Sequence, residues 1–107
     1  MNKLRVGICG WGNVATGLFK TLQTNSVEIK KRSNLEIEII AIGARRDNPK
    51  CDPGNVIIER DIFNIIDHDI DVIVELIGGV DVARDLILKA LNTKKHVVTA
   101  NKAVIFN

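Results

Sequence analysis

The stretch Arg5-Val6-Gly7-Ile8-Cys9-Gly10-Trp11-Gly12-Asn13-Val14-Ala15 decides the fold of this chain. Residues 5–9 read as a buried strand. They run without a linker into Gly10-Trp11-Gly12-Asn13-Val14-Ala15, which fits the pattern G-x-G-x-x-G/A. Apolar side chains then recur at helical spacing, at Val14, Leu18, Phe19 and Leu22. Strand, glycine turn and helix in that order give the pattern its meaning. The first glycine permits a tight turn, and the second lets the backbone approach a pyrophosphate. The small residue at Ala15 lets helix and strand pack closely. A pyrophosphate would sit on the N–H groups left free at the helix start. Gly10, Trp11, Gly12, Asn13 and Val14 are therefore candidate dinucleotide-binding residues.

Outward from this core the pattern repeats. The polar segment 24–34 extends the helix and ends in Lys30, Lys31 and Arg32, which suit its negative pole. Residues 35–42 alternate and then become wholly apolar, a second strand entering a core. Residues 43–54 form a loop broken by Pro49, Pro53 and Gly54. A short strand at 56–58 and a short helix at 61–67 follow. Residues 70–77 are apolar apart from Asp71 and Glu75 and read as a further strand ending at Gly78-Gly79. Val82, Leu86, Ile87, Ala90 and Leu91 give another amphipathic helix, with Asp81 at its start and Lys94 and Lys95 at its end. Residues 96–100 form the last strand. Strands alternating with helices predict an α/β fold: a doubly wound parallel sheet with right-handed crossovers, a Rossmann-type dinucleotide-binding domain. A complete domain of this kind usually has about six strands, one more than the chain offers. Residues 1–107 are thus expected to be the NAD(P)-binding domain of a larger two-domain protein, with the substrate domain outside the chain.

Composition excludes several other classes. The 107 residues suit one small domain, and 46% hydrophobic with 26% charged residues argues against disorder. Fifteen Lys and Arg against thirteen Asp and Glu leave +2, and aromatic residues are 4% with no Tyr. Neither a phosphate-backbone footprint nor a base-stacking surface is expected, so nucleic acid is not a partner. No apolar run approaches the ~18 residues of a membrane span, and the start lacks a secretory signal. Cys9 and Cys51 form no metal or disulfide spacing, so a reducing cytoplasm is the default location. Cys9 reads as a core residue and Cys51 as a loop thiol without evident role. Asp67-His68-Asp69 reads as a solvated turn, since one histidine with two adjacent acids makes poor metal geometry. No metal is expected.

The second strand ends Ile42-Gly43-Ala44-Arg45-Arg46, with Asp47 only after both arginines. An acidic residue there accepts from ribose hydroxyls, whereas guanidinium groups suit a 2′-phosphate. Arg45 and Arg46 therefore favour NADP over NAD. Ligands of such sheets bind at the carboxyl ends of the strands. There Gly78 and Gly79 carry no side chains to block a flat nicotinamide. Thr99 and Asn101 offer hydrogen bonds to a carboxamide or substrate. Lys102 puts an ammonium at the same edge, to stabilise a developing oxyanion or exchange a proton with it. On position alone the plainer reading of Lys102 is a surface lysine at a strand end. Glu75, near the end of a buried strand, is either a site residue or a partner for backbone groups of the glycine turn.

Several motifs together resemble one family. Gly10-Trp11-Gly12-Asn13-Val14-Ala15-Thr16-Gly17 is similar to the nucleotide loop of homoserine dehydrogenases. The segment 25–32 resembles the basic end of that family's long first helix. Arg46-Asp47 stands where the family has an Arg-Asp pair. Val74-Glu75-Leu76-Ile77-Gly78-Gly79 is similar to its ElIGG motif, and Lys95-His96-Val97-Val98-Thr99-Ala100-Asn101-Lys102-Ala103 to its KhVVTANKa motif. The chain departs from the family with Ala15 in place of a usual glycine, and with Trp11 and Asn13 where smaller residues and Thr are frequent. The resemblance covers essentially the whole chain. It implies NAD(P)-dependent interconversion of L-homoserine and L-aspartate 4-semialdehyde, on the route to threonine, methionine and isoleucine. It implies Lys102 as an active-site lysine, a small-molecule substrate and a homo-oligomer in the full-length protein. A second lysine and the acidic substrate-binding residues would lie beyond Asn107. Residues 1–107 alone are expected to bind cofactor without turnover. The alternative from another class is a non-catalytic module that senses NAD(P)H; the motif at 99–102 favours the enzyme.

Overall fold

The computed structural model describes residues 2–77 and 81–99. Five strands form one parallel sheet: β1 (Asn2–Cys9), β2 (Leu35–Gly43), β3 (Ile57–Glu59), β4 (Val72–Glu75) and β5 (His96–Thr99). Their order across the sheet is β3-β2-β1-β4-β5. The chain builds outward from β1 to β3, then returns to the other side of β1 for β4. The switch point of the topology therefore lies between β1 and β4. Helices α1 (Asn13–Thr24), α2 (Ser26–Ser33) and α3 (Asp81–Asn92) and a 3-10 helix (Ile62–Asp67) make the connections.

The sheet is buried on both faces. On one, Val6 and Ile8 pack with Ala15 and Phe19 of α1 and with Ile42. The ring edge of Trp11 meets Phe19 at 5.3 Å between centroids. On the other, Cys9, Ala41 and Ile73 pack with Ile65, Ile66, Leu86 and Ala90. A bulge explains why residues 39–42 are apolar without a break. Val6 pairs with Ile39 but Gly7 with Ala41, so Ile40 is an extra residue. Ile40 and Ala41 then both face the second core layer.

The structure departs from the sequence reading in detail. The long first helix is two helices, divided at Asn25, whose backbone turns to φ −102° and ψ 12° while its Nδ2 donates to the carbonyl of Thr21. Asn34, in the left-handed region at φ 55°, ends α2. Val14 is 66% exposed, and the buried face of α1 is Ala15, Thr16 and Phe19. The strand expected over 70–77 is shorter, Val72–Glu75. Ile70 instead plugs the space left by the missing side chain of Gly7, where a Cβ would come within 2.9 Å of it. On α3 the buried residues are Ala83, Leu86 and Ala90, while Leu91 is exposed. Cys51 is buried among Trp11, Ala44 and their neighbours, so it is a core thiol rather than an idle loop thiol.

Candidate functional site

The turn after β1 is fixed by main-chain contacts that leave no choice at Gly10. Its N–H donates to the carbonyl of Gly43 at 2.8 Å, and the N–H of Leu76 donates to the carbonyl of Cys9 at 2.8 Å. Gly10 has φ +112°, and a Cβ there would lie 2.8 Å from the carbonyl oxygen of Leu76. Only glycine satisfies both constraints. The turns after β1 and β4 thus touch at the switch point.

Gly12 is a different case. It caps α1 with φ −89° and ψ −162°, extended backbone open to any residue. A Cβ built on it meets no described atom within 4 Å. Nothing in the described protein requires glycine there, whereas a ligand lying against the main chain would. The N-terminus of α1 carries no side-chain cap. The carbonyl of Gly12 accepts from the N–H of Thr16 at 2.9 Å and from its hydroxyl at 3.0 Å. The N–H groups of the first turn point the other way, as an anion site needs. Asn13 and Val14 are exposed on that turn.

A cleft of about 450 Å³ opens beside this turn. Gly10, Trp11 and Gly12 form one wall, and residues 45–49 the other. Ile62, Leu76 and Ile77 close the apolar floor. Arg45 and Arg46 are exposed at the rim. Asp47, the one acid of residues 45–49, is ion-paired with Arg60. Arg60 also donates to the carbonyl of Ala44 at 3.2 Å. Asn48 links the two walls, its Nδ2 donating to the carbonyl of Trp11 at 3.1 Å. Sequence reasoning passed over Arg60 and Asn48. The only local signal was the Asn-Pro turn at 48–49, which suits the bond from the N–H of Lys50 to the Asn48 side chain.

Glu75 is fully buried. Its carboxylate accepts from the hydroxyl of Thr99 at 2.7 Å and from the N–H of Ile77 at 2.5 Å. Of the alternatives for Glu75, the geometry gives the one that bonds the turn after β4. Thr99, expected to face a ligand, here turns its hydroxyl proton to Glu75. Cys9, Glu75 and Thr99 lie on one rung across three strands. Burial, with the Glu75 charge beside it, pushes the Cys9 thiol up to about 12. Gly78, Gly79, Asn101 and Lys102 lie outside the described residues.

Asp69, ahead of β4, pairs with Arg5, and His68 Nε2 lies 3.7 Å from Glu59, the last residue of β3. Among the described residues no cluster of three or more His, Cys, Asp or Glu is placed to hold a metal. No helix among them is long and apolar enough to cross a membrane.

Known proteins agree with this geometry. A family model described as homoserine dehydrogenase, NAD binding domain, matches residues 10–107. A homoserine dehydrogenase of Pseudomonas aeruginosa is 52% identical over 98% of the chain, which spans 24% of that protein. One from Methylobacillus glycogenes is 42% identical, with 98% and 26% covered. The crystal structure of a homoserine dehydrogenase from Thiobacillus denitrificans superposes with a TM-score of 0.87 at 36% identity, covering 97% of this chain and 25% of that one. The chain spans about a quarter of the length of the relatives it matches. The family model spans nearly the whole chain and the relatives agree with it: the chain belongs to the homoserine dehydrogenase NAD-binding domain family.

Proposed function

We propose that this chain is the nucleotide-binding part of an enzyme that interconverts L-homoserine and L-aspartate 4-semialdehyde, and that it prefers NADP(H) to NAD(H). The observation that carries the reading is the cleft itself. An uncapped helix N-terminus with an unobstructed Gly12 stands on one side, and Arg45 and Arg46 on the other. The first turn of α1 would hold the pyrophosphate by N–H donation and by the helix dipole. The arginines would hold a 2′-phosphate through charge-assisted hydrogen bonds. The Asp47–Arg60 pair supports the preference, because the Arg60 guanidinium offsets the one negative charge that a 2′-phosphate would meet on this wall. The bound dinucleotide supplies the hydride chemistry.

Lys102 is proposed to stabilise charge on the substrate oxygen or to move a proton there. Gly78 and Gly79 would give the nicotinamide ring a flat approach. The grip on the amino-acid substrate is assigned to a further domain, since orientation of the two reactants can be worth about 7–11 kcal/mol and one wall cannot supply it. A place in threonine, methionine and isoleucine synthesis, a cytoplasmic location and a homo-oligomeric full-length protein belong to the same proposal.

Replacing Arg45 and Arg46 together by Ala tests the cofactor preference. NADP(H) should weaken more than NAD(H), by about 1.5–3 kcal/mol for each charge-assisted bond lost. Equal loss of both cofactors would refute the 2′-phosphate assignment. Lys102→Ala in the full-length enzyme should lower kcat sharply with little change in cofactor Kd; an undiminished kcat removes Lys102 from the mechanism.

A further inference from the structure

We propose that Asn48 is a positioning residue for the pyrophosphate: it holds the Trp11–Gly12 peptide so that the carbonyl faces the loop and the Gly12 N–H faces the anion. The inference rests on the dinucleotide-site reading above and deepens it.

Three peptides of the turn have a fixed partner. Gly10 N–H is taken by Gly43, and the Gly12 carbonyl by Thr16. Between them, the Trp11 carbonyl accepts from Asn48 Nδ2 at 3.1 Å, a bond spanning 37 residues of sequence. The chain has no cis peptide among its described residues. In a trans peptide the C=O of one residue and the N–H of the next point in opposite directions. Holding the Trp11 oxygen toward Asn48 therefore turns the Gly12 N–H away from it. Released, the same peptide can rotate and present an oxygen to an incoming phosphate. Asn48 is itself held: its Oδ1 accepts from the N–H of Lys50 at 3.0 Å, which fixes its Nδ2 as the donor to Trp11. Its bond to Trp11 crosses the cleft, from the loop that carries the arginines to the glycine turn.

The isosteric change Asn48→Asp keeps the acceptor for Lys50 and replaces the donor to Trp11 by a second acceptor. Asn48→Ala removes both bonds without adding charge. Calorimetric titration of full-length wild type, both variants and Gly12→Val with NADP, NAD and ADP-ribose is the test. Both Asn48 variants should lose about ten- to a hundred-fold in affinity for all three ligands, the equivalent of one charge-assisted hydrogen bond. The NADP-to-NAD ratio should stay unchanged, because the bond acts on the group the ligands share. A changed ratio would place the effect in the arginine loop and overturn the proposal. So would unchanged affinities, or a loss confined to Asn48→Asp that high salt abolishes, which belongs to the new charge. If Gly12→Val binds as wild type does, the site reading itself fails. If Gly12→Val is impaired and the Asn48 variants are not, only the role of Asn48 falls.

Discussion

Gly10 and Gly12 stand two residues apart in one motif, yet the structure gives them opposite jobs, and this can be measured. Gly10→Ala places a Cβ 2.8 Å from the carbonyl oxygen of Leu76 and 3.0 Å from its carbonyl carbon, both main-chain atoms. It also forces a side chain onto φ +112°. The backbone conformation costs about 1–3 kcal/mol. The overlap adds about 1–3 more. A loss of about 2–6 kcal/mol is a large share of the ~5–15 that hold a domain together. Gly12→Ala meets no described atom within 4 Å and keeps an ordinary φ of −89°. Weaker capping by Ala costs about 0.5–1 kcal/mol, and the stiffer unfolded chain returns about 0.4–1. Stability should move by less than about 1 kcal/mol, while the Cβ stands between the main chain and a pyrophosphate. Urea denaturation and calorimetric titration with ADP-ribose read the two effects separately. Gly10→Ala should lose stability. Gly12→Ala should keep it and lose at least about tenfold in affinity, one charge-assisted bond or more. Two variants equally destabilised, or a Gly12→Ala protein that binds normally, would refute the division of roles.

Further outcomes follow from the buried and charged groups. The N–H of Arg5 donates to the Asp71 carboxylate at 2.9 Å and, with the Arg5 guanidinium nearby, holds its pKa below the usual carboxylate range. A depressed folded pKa gives stability that is present above the unfolded value of about 3.9 and is lost as pH falls through the folded one. Asp71→Asn should therefore be less stable than wild type at pH 7, with the gap closing on acidification below about 4; a gap that widens in acid contradicts this, and urea denaturation across pH reads it. Cys9, fully buried with its thiol raised to about 12, should resist a thiol reagent at pH 8 in the native protein and react only on unfolding, as peptide mapping of the labelled site would show. Glu75→Ala removes the acceptor of the Thr99 and Ile77 bonds and leaves a cavity, and should cost about 2–6 kcal/mol in thermal or chemical denaturation, about 1–3 for each of the two buried hydrogen bonds lost. A loss under about 1 kcal/mol, the scale of an exposed ion pair, would mean that the carboxylate is solvated after all.

Much of this molecule was legible in the sequence because the signals are local. Apolar runs of strand length, helical spacing after Val14 and after Asp81, and the glycine turn between them fix the element order. That order admits a parallel doubly wound sheet and little else. The glycine turn is equally local, since strand, turn and helix start are contiguous from Arg5 to Ala15. The arginine pair could be seen but not aimed.

Tertiary structure alone decided the pairings between residues far apart in the chain. The bulge at Ile40 depends on how β1 and β2 align, and no pattern within β2 announces it. The shortening of β4 depends on the vacancy at Gly7, which Ile70 fills from 63 residues away along the chain. Glu75 found Thr99 across 24 residues, Asp47 found Arg60 across 13, and Asn48 found Trp11 across 37. The physical reason is the same in each case. Helix and strand preferences arise from neighbours along the chain. A side-chain hydrogen bond between loops exists only after the sheet has fixed where both loops begin, so the sequence by itself determined the frame of the site, and the fold determined which polar groups hold it in shape.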